Sequence, residues 1–226
     1  MDIFLVVVII GLPALAQLFY SINYKKYNKI QNKVNIIGSD VAKTILIQSG
    51  LEYVDIVEVP KELNDKYDVN KKIINLSSNT YKGNSISSIA IATHECMHAV
   101  QDVKGNIVLK INALLDPIMK IITKFSYWVV IAGFVLHWDN LMYAGIGFTM
   151  IALIFYLISL SVEFDASKKA LINLKKFNII ANEDSEKYKK VLNALCFKSI
   201  GNTLMSSMSL FNLILVSDEK KDVDNK

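Results

Sequence analysis

Residues 94–98 read His-Glu-Cys-Met-His, a spacing that can hold a metal ion and activate water. An α-helix turns about 100° per residue, so His94 and His98 lie about 40° apart on one face and can reach one tetrahedral zinc ion. Glu95 lies beside them, where it can take a proton from metal-activated water. Cys96 lies about 200° from His94, which predicts a small buried side chain rather than a ligand. The pattern predicts a zinc-dependent hydrolase.

A catalytic zinc ion needs a third protein ligand and one open position. His137, the remaining histidine, lies in a polar break between two apolar blocks and is predicted to be an interfacial side chain without a role. Glu163 directly follows an apolar block, where a carboxylate is costly unless it is paired or ligated. We therefore predict Glu163 as the third ligand. The alternative is an interfacial carboxylate that reaches water.

Two further acids lie near these residues in sequence. Asp165 comes two residues after Glu163 and is expected on the opposite side of that helix. Asp102 comes four residues after His98 and could approach the site, although this position is more typical of a solvated acid at a helix end. The alternative to the whole motif is a helix that carries two ordinary polar histidines.

The motif is expected on a helix that runs from about Ile86 to Val103. Asn84 or Ser85 can cap its start, and Gly105 follows its end. In chain order before it, we predict a helix over 41–49 that ends at Gly50, a strand over 53–59 and a strand over 72–76. The last strand is expected at a sheet edge, where an extended substrate could join it.

Apolar residues make up 52% of the 226 residues and are concentrated in blocks. The sequence predicts a mainly α membrane protein with three to four transmembrane helices and a small α+β cytoplasmic part that carries the HExxH helix. The blocks are Ile3–Tyr20, about Ile121–Trp138, Leu141–Val162 and the shorter Leu204–Val216. A cleaved signal peptide is the alternative for the first block, but that block lacks a preceding Lys or Arg.

The domain prediction follows the blocks: an N-terminal anchor over 1–22, a cytoplasmic segment over 23–119 with the zinc helix at 86–103, a transmembrane hairpin over 120–162, third-ligand and C-terminal helices over 163–216, and a disordered tail over 217–226. Lysines follow the first block and flank the hairpin. The positive-inside rule therefore predicts a multi-pass protein of the cell membrane with its active site in the cytoplasm. The two cysteines, Cys96 and Cys196, are consistent with a reducing compartment.

Four segments together resemble the YugP-type neutral zinc metallopeptidases of bacterial membranes. They are Lys66-Tyr67-Asp68, Ile73-Ile74-Asn75-Leu76-Ser77, the stretch from Thr93 to Gln101, and Val162-Glu163-Phe164-Asp165-Ala166-Ser167. The resemblance covers nearly the whole chain, and the chain is more distantly similar to HtpX and the CAAX-prenyl endopeptidases. The resemblance implies that His94, His98 and Glu163 bind one zinc ion and that Glu95 is the catalytic acid–base.

Two positions depart from the pattern of these relatives. Ser167 stands where the distant relatives have an aspartate, four residues after the glutamate ligand. Met97 stands where a small residue usually precedes the second histidine. Hydrogen-bond partners of this kind orient imidazole ligands, so Ser167 is expected to accept a hydrogen bond more weakly than a carboxylate would. Neither departure removes a predicted ligand.

The predicted function is a membrane-embedded zinc endopeptidase in contact with lipid, which acts on peptides or proteins, including membrane proteins. Tyr188, Lys168 and Asn202 are alternatives for a second oxyanion donor. A net charge of +4, with lysines scattered among acids, gives no nucleic-acid footprint. One rival is an inactive zinc-binding membrane scaffold, which would have no need of Glu95. The other is a transporter or channel, which is disfavoured because ionisable residues are confined to the ends of the apolar blocks.

Overall fold

A computed structural model describes residues 3–60 and 65–196, with some helical side chains left out, and shows a mainly helical chain with one small sheet. Residues 185–196 form the last described helix, α7. The elements before it are α1 (Ile3–Asn28), α2 (Gly38–Gln48), β1 (Asp55–Val59), β2 (Lys66–Asp68), β3 (Ile73–Ser77), α3 (Ser78–Tyr81), α4 (Ile86–Val103), α5 (Ile107–Val135), α6 (Asp139–Lys176) and a 3-10 turn, Asn182–Asp184.

The sheet has three strands in the order β1-β3-β2. β1 is parallel to β3, and β2 is antiparallel to β3. Lys72, at φ 56°, lies in the turn between β2 and β3, so the predicted strand begins one residue later, at Ile73. The prediction that this strand is an edge is wrong, because β2 covers its second side. β2 has only three residues, Lys-Tyr-Asp, which is too short to show an alternating pattern in the sequence.

α4 is the central helix of the fold, and sixteen of its eighteen residues are buried. Its bounds agree with the prediction over 86–103. The Ser85 hydroxyl caps it by accepting a 3.0 Å hydrogen bond from the Ser88 backbone N–H. α1, α2, β2 and α6 all pack against it. Its polar side chains are therefore held among fixed neighbours rather than in solvent.

Small side chains allow α6 to approach α4 closely. Ala166 and Ala170 of α6 are fully buried, as is Ala99 of α4. Helix separation depends on the side chains at the contact, so alanines bring the two backbones together. Glu163 lies one turn before Ala166 on the same side of α6. This packing carries Glu163 to the histidine-bearing face of α4.

α5 and α6 form an antiparallel pair joined by residues 136–138. His137, at φ 52°, lies in this turn, where its side chain is exposed. The 38 residues of α6 extend about 57 Å at ~1.5 Å per residue. Its first part lies along α5, and its last part enters the core beside α4. α6 therefore connects the apolar pair to the helical core.

The prediction of three to four transmembrane helices is wrong for the described part of the chain. There, one helix, α6, is long and apolar enough to cross a membrane. The predicted block over 121–138 contains Lys124, and α5 ends at Val135, before that block does. α1 runs beyond its apolar block and buries Tyr20 and Tyr27 in the core. The block over 204–216 and the tail over 217–226 lie outside the described residues.

Candidate metal centre

Three predicted site residues meet between α4 and α6. His94 Nε2 lies 3.2 Å from His98 Nε2 and 3.1 Å from Glu163 Oε2, and His98 Nε2 lies 3.8 Å from Glu163 Oε1. Two ligands at ~2.0–2.1 Å from a tetrahedral zinc ion lie about 3.3–3.4 Å apart. The observed separations fit that geometry. These three side chains form the one group of the described residues whose ligand atoms are close enough for a metal ion.

The His98 imidazole is held by Gln101. Its Nδ1 lies 3.0 Å from Gln101 Oε1. The Gln101 amide nitrogen donates to the Val162 carbonyl at 3.0 Å and to the Asp165 carboxylate at 2.7 Å. The amide oxygen is thus the atom that faces His98, and it accepts a hydrogen bond from Nδ1–H. This leaves the lone pair of His98 Nε2 pointing into the cluster.

The His94 imidazole is held in the same tautomer by Ser167. Its Nδ1 lies 3.1 Å from Ser167 Oγ, and the Ser167 hydroxyl donates to the Leu192 carbonyl at 3.0 Å. The hydroxyl oxygen therefore accepts from His94 Nδ1–H. Ser167 thus holds the His94 imidazole, and α7 supports Ser167 through Leu192. The lone pair of His94 Nε2 also points into the cluster.

The cluster has the chemistry of a cation site. Two imidazole lone pairs and a carboxylate face one another, and such acceptors are stabilised together by a cation. The side chain of Glu163 is 26% exposed, whereas those of His94 and His98 are 3% and 10% exposed. The site is therefore accessible from the Glu163 side. Three ligands with one accessible side fit a catalytic zinc ion better than a closed structural one.

Glu95 lies next to the cluster, on the side where β2 crosses α4. Its Oε2 accepts a 2.9 Å hydrogen bond from the Tyr67 backbone N–H. Burial raises the pKa of Glu95 above its ordinary value, and the neighbouring His98 and His94 partly oppose this rise. A buried carboxylate of raised pKa beside a metal site is suited to both accepting and releasing a proton.

Asp102 ties β2 to the end of α4. It is 3% exposed, accepts a 2.8 Å hydrogen bond from the Tyr67 hydroxyl and pairs with Lys72. The expectation of a solvated acid is therefore wrong, because the β2–β3 turn covers this end of the helix. Asp102 is not part of the metal cluster. Its effect is to fix the strand whose backbone holds Glu95.

The other residues considered from the sequence lie apart from the cluster. Cys96 is buried, its Sγ lies 3.6 Å from the Ala42 carbonyl oxygen, and burial raises its pKa. Burial raises the pKa of Cys196 to about 11, with its Sγ 3.2 Å from Ser167 Oγ. Within the described chain, no hydrogen bond joins Tyr188 or Lys168 to the three ligand side chains. Asn202 lies outside the described residues.

Two contacts were missed by reasoning from the sequence alone. Gln101 received no role, although it lies three residues after His98 and so on the same helix face. That spacing, with a polar side chain on a buried face, is the signal that could have identified it. Tyr67 holds Glu95 through its backbone, and a backbone contact leaves no signal in residue type.

Two comparisons with known proteins identify the family of this chain. The sequence model of a family described as “Putative neutral zinc metallopeptidase” matches residues 2–218. The chain is also 30% identical over 214 residues to “Putative membrane protease YugP” of Bacillus subtilis (strain 168), which covers 95% of each chain. No solved structure matches the chain. The resemblance identified from the four sequence segments is confirmed.

Proposed function

This chain belongs to the family of neutral zinc metallopeptidases, and we propose that it is an endopeptidase whose zinc ion is held by His94, His98 and Glu163. The observation that carries the proposal is the convergence of these three side chains, with both Nε2 lone pairs directed at one point. Glu95 lies beside them without being needed as a ligand. The substrates are peptides or proteins.

The residues of the chain divide the chemistry between binding and proton transfer. Zinc bound by the three ligands supplies a Lewis acid that polarises a peptide carbonyl and lowers the pKa of water towards ~7. Glu95 accepts a proton from the attacking water and passes it to the nitrogen of the leaving amine. The Tyr67 N–H orients the Glu95 carboxylate through Oε2, which leaves the other carboxylate oxygen for this transfer.

An inactive zinc-binding scaffold is the alternative function. A structural zinc site is normally closed by four protein ligands, whereas the described residues supply three and leave the Glu163 side partly exposed. A scaffold also has no use for a buried carboxylate beside the metal, which costs free energy through desolvation. Both features favour the peptidase.

We place the enzyme at the cell membrane, attached through α6. α6 contains the apolar stretch suited to crossing a membrane, only 21% of that stretch is buried, and the relative from B. subtilis is named a membrane protease. Four lysines follow Glu163 on this helix: Lys168, Lys169, Lys175 and Lys176. By the positive-inside rule, this end of α6 and the metal site lie in the cytoplasm, and α5 crosses the membrane beside α6 to reach the 136–138 turn.

Metal removal tests the proposed activity. We expect the purified, detergent-solubilised protein to contain about one zinc ion per chain, as a single ligand set requires. It should cleave an unfolded protein substrate, lose this activity on chelation and regain it when zinc is restored. Chelator-resistant cleavage would contradict the proposal. A protein that binds zinc but cleaves nothing across a broad panel of substrates would support the scaffold instead.

A further inference from the structure

Gln101 bonds to both helices that supply the metal ligands. Its side-chain oxygen faces His98 Nδ1 on α4, and its side-chain nitrogen donates to the Val162 carbonyl and the Asp165 carboxylate on α6. The residue is 1% exposed, so water does not compete for these bonds. The amide oxygen and both N–H groups of the amide are thus used in hydrogen bonds.

The orientation of this amide is determined by its partners. Turned by 180°, the amide would place its oxygen against the Val162 and Asp165 oxygens and its hydrogens against His98. Two oxygen acceptors can be satisfied only by the NH2 group, so the observed orientation is the favourable one. The hydrogen bond at one imidazole nitrogen determines which nitrogen carries the proton. Gln101 therefore keeps the proton on His98 Nδ1.

The bonds to α6 have a second effect. Val162 directly precedes Glu163, and Asp165 follows it by two residues, so Gln101 contacts α6 on both sides of the third ligand. We propose that Gln101 is a positioning residue that holds His98 in its metal-binding tautomer and fixes the place of Glu163 relative to the two imidazoles. The inference rests on the proposed zinc site and adds a residue that aligns two of its three ligands.

Replacement of Gln101 should not by itself unfold the chain. The Val162 carbonyl lies within α6, where it can accept the backbone bond of the helix, and Asp165 keeps its ion pair with Lys169. Gln101→Met fills a similar volume without hydrogen bonds. We expect it to lower zinc affinity by about 10- to 100-fold, the range typical for the loss of a partner behind a ligand.

The tautomer of His98 gives a readout that does not depend on activity. In metal-free protein labelled with 15N-histidine, wild-type His98 should show a protonated Nδ1 and an unprotonated Nε2, whereas Gln101→Met should show a mixture. The chain has three histidines, so their signals can be assigned with two variants, His137→Gln in the exposed turn and His94→Gln. A wild-type tautomer together with wild-type zinc affinity in Gln101→Met would overturn the proposal.

Gln101→Glu separates the effect of Gln101 on the His98 tautomer from its effect on the position of Glu163. This variant also tests the proposal if Gln101→Met does not fold. Its carboxylate can accept from His98 Nδ1–H but cannot donate to Val162 or Asp165. We expect the wild-type tautomer with reduced zinc affinity. Loss of the Nδ1–H tautomer in this variant would contradict the inference, as would unchanged zinc affinity.

Asn173→Ala is the matched control. Asn173 also bridges the two helices, because its amide nitrogen contacts Met97 Sδ at 3.2 Å, but it touches neither imidazole. The zinc affinity of Asn173→Ala should stay within about twofold of the wild-type affinity. This change is much smaller than the loss typical when a hydrogen-bond partner of a ligand is removed. An equal loss of zinc affinity in Asn173→Ala and Gln101→Met would show that only helix packing matters, and it would overturn the positioning role of Gln101.

The proposed function and the positioning role can fail separately. If wild-type protein binds zinc but cleaves nothing, the proposed function fails and the positioning role of Gln101 stands.

Discussion

At the residue scale, the site works by the direction in which each polar atom points. Ser167 and Gln101 accept hydrogen bonds from the Nδ1–H groups of His94 and His98, so both Nε2 lone pairs are available to a metal ion. Glu163 adds the negative charge that balances part of a divalent ion. Each of the three proposed ligands would bond the zinc ion directly, so the loss of any one should weaken zinc binding more than the loss of a supporting hydrogen bond.

Glu163 provides the first test of the ligand set. We expect Glu163→Gln to lower zinc affinity by at least ~100-fold, the upper end of the range for losing only a partner of a ligand, because a neutral amide replaces the anionic ligand. The measurement is competition with a chromogenic chelator. Glu58→Gln, which alters a partly exposed glutamate paired with Lys82 and outside the three-residue group, should bind zinc like wild type. Equal affinities for Glu163→Gln and wild type would remove Glu163 from the proposed ligand set.

The sequence revealed different parts of the site to different degrees. His94, Glu95 and His98 could be placed because helical periodicity fixes their relative positions within one turn. Glu163 could be selected as a carboxylate at the end of an apolar block, but its distance from the histidines depends on the packing of α6 against α4. The contact of Ser167 with Leu192 depends on α7, which comes later in the chain. Such contacts are set by tertiary structure and not by local spacing.

At the element scale, β2 holds the Glu95 side chain in place. It pairs with β3 on one side, and on the other side its Tyr67 N–H reaches Glu95. A three-residue strand has few ladder bonds of its own, so its position depends on side-chain contacts. The Tyr67 hydroxyl supplies one of these by donating to buried Asp102.

Removing that hydroxyl should destabilise the fold measurably. Tyr67→Phe leaves Asp102 with one fewer hydrogen bond, and a bond to a buried charged group contributes about 1.5–3 kcal/mol. Each kcal/mol lowers the thermal midpoint by about 2–4 °C in a protein of this size. The measurement is thermal unfolding of metal-free protein in detergent. Tyr53→Phe, at an exposed tyrosine, should leave the midpoint unchanged, and equal midpoints for both variants would refute the anchoring role of Tyr67.

The sequence predicted most of the helices and strands around Glu95 correctly, but it did not predict their arrangement. α4 was placed within its observed bounds because caps and buried periodicity agree. The strands β1 and β3 were found from their β-branched residues, whereas β2 was missed and β3 was misplaced at an edge. Strand order depends on pairing between distant residues, and a Lys-Tyr-Asp strand gives no local sign that it pairs.

At the scale of the whole molecule, α6 links an apolar surface to the candidate metal site. Its first part exposes apolar side chains such as Ile151, Ile154 and Ile158, and its last part carries Glu163 and lysines. The sequence located this apolar block correctly. Within the described part of the chain, the count of membrane helices was overestimated, because α6 is the one helix there that is by itself long and apolar enough to cross a membrane.

The orientation of α6 can be measured by cysteine labelling. The native thiols Cys96 and Cys196 are fully buried, so background labelling should be low. We expect a membrane-impermeant maleimide to label Asn140→Cys in intact cells and Lys175→Cys only after permeabilisation, because the lysine-rich end should be cytoplasmic. The reverse pattern would invert the orientation. Labelling of both positions in intact cells would show that α6 does not cross the membrane.

The measurement that tests the account most directly compares peptide hydrolysis by wild type and Glu95→Gln at equal zinc content. The amide can still accept the Tyr67 N–H bond, and the three ligands are unchanged, so zinc and the fold should be retained. Hydrolysis of an unfolded protein substrate should fall by at least ~10²-fold, the lower range for losing a positioned acid–base. Chelated samples of both proteins give the background. Equal cleavage by the two zinc-loaded proteins would contradict the assignment of Glu95, and with it the proposed active site.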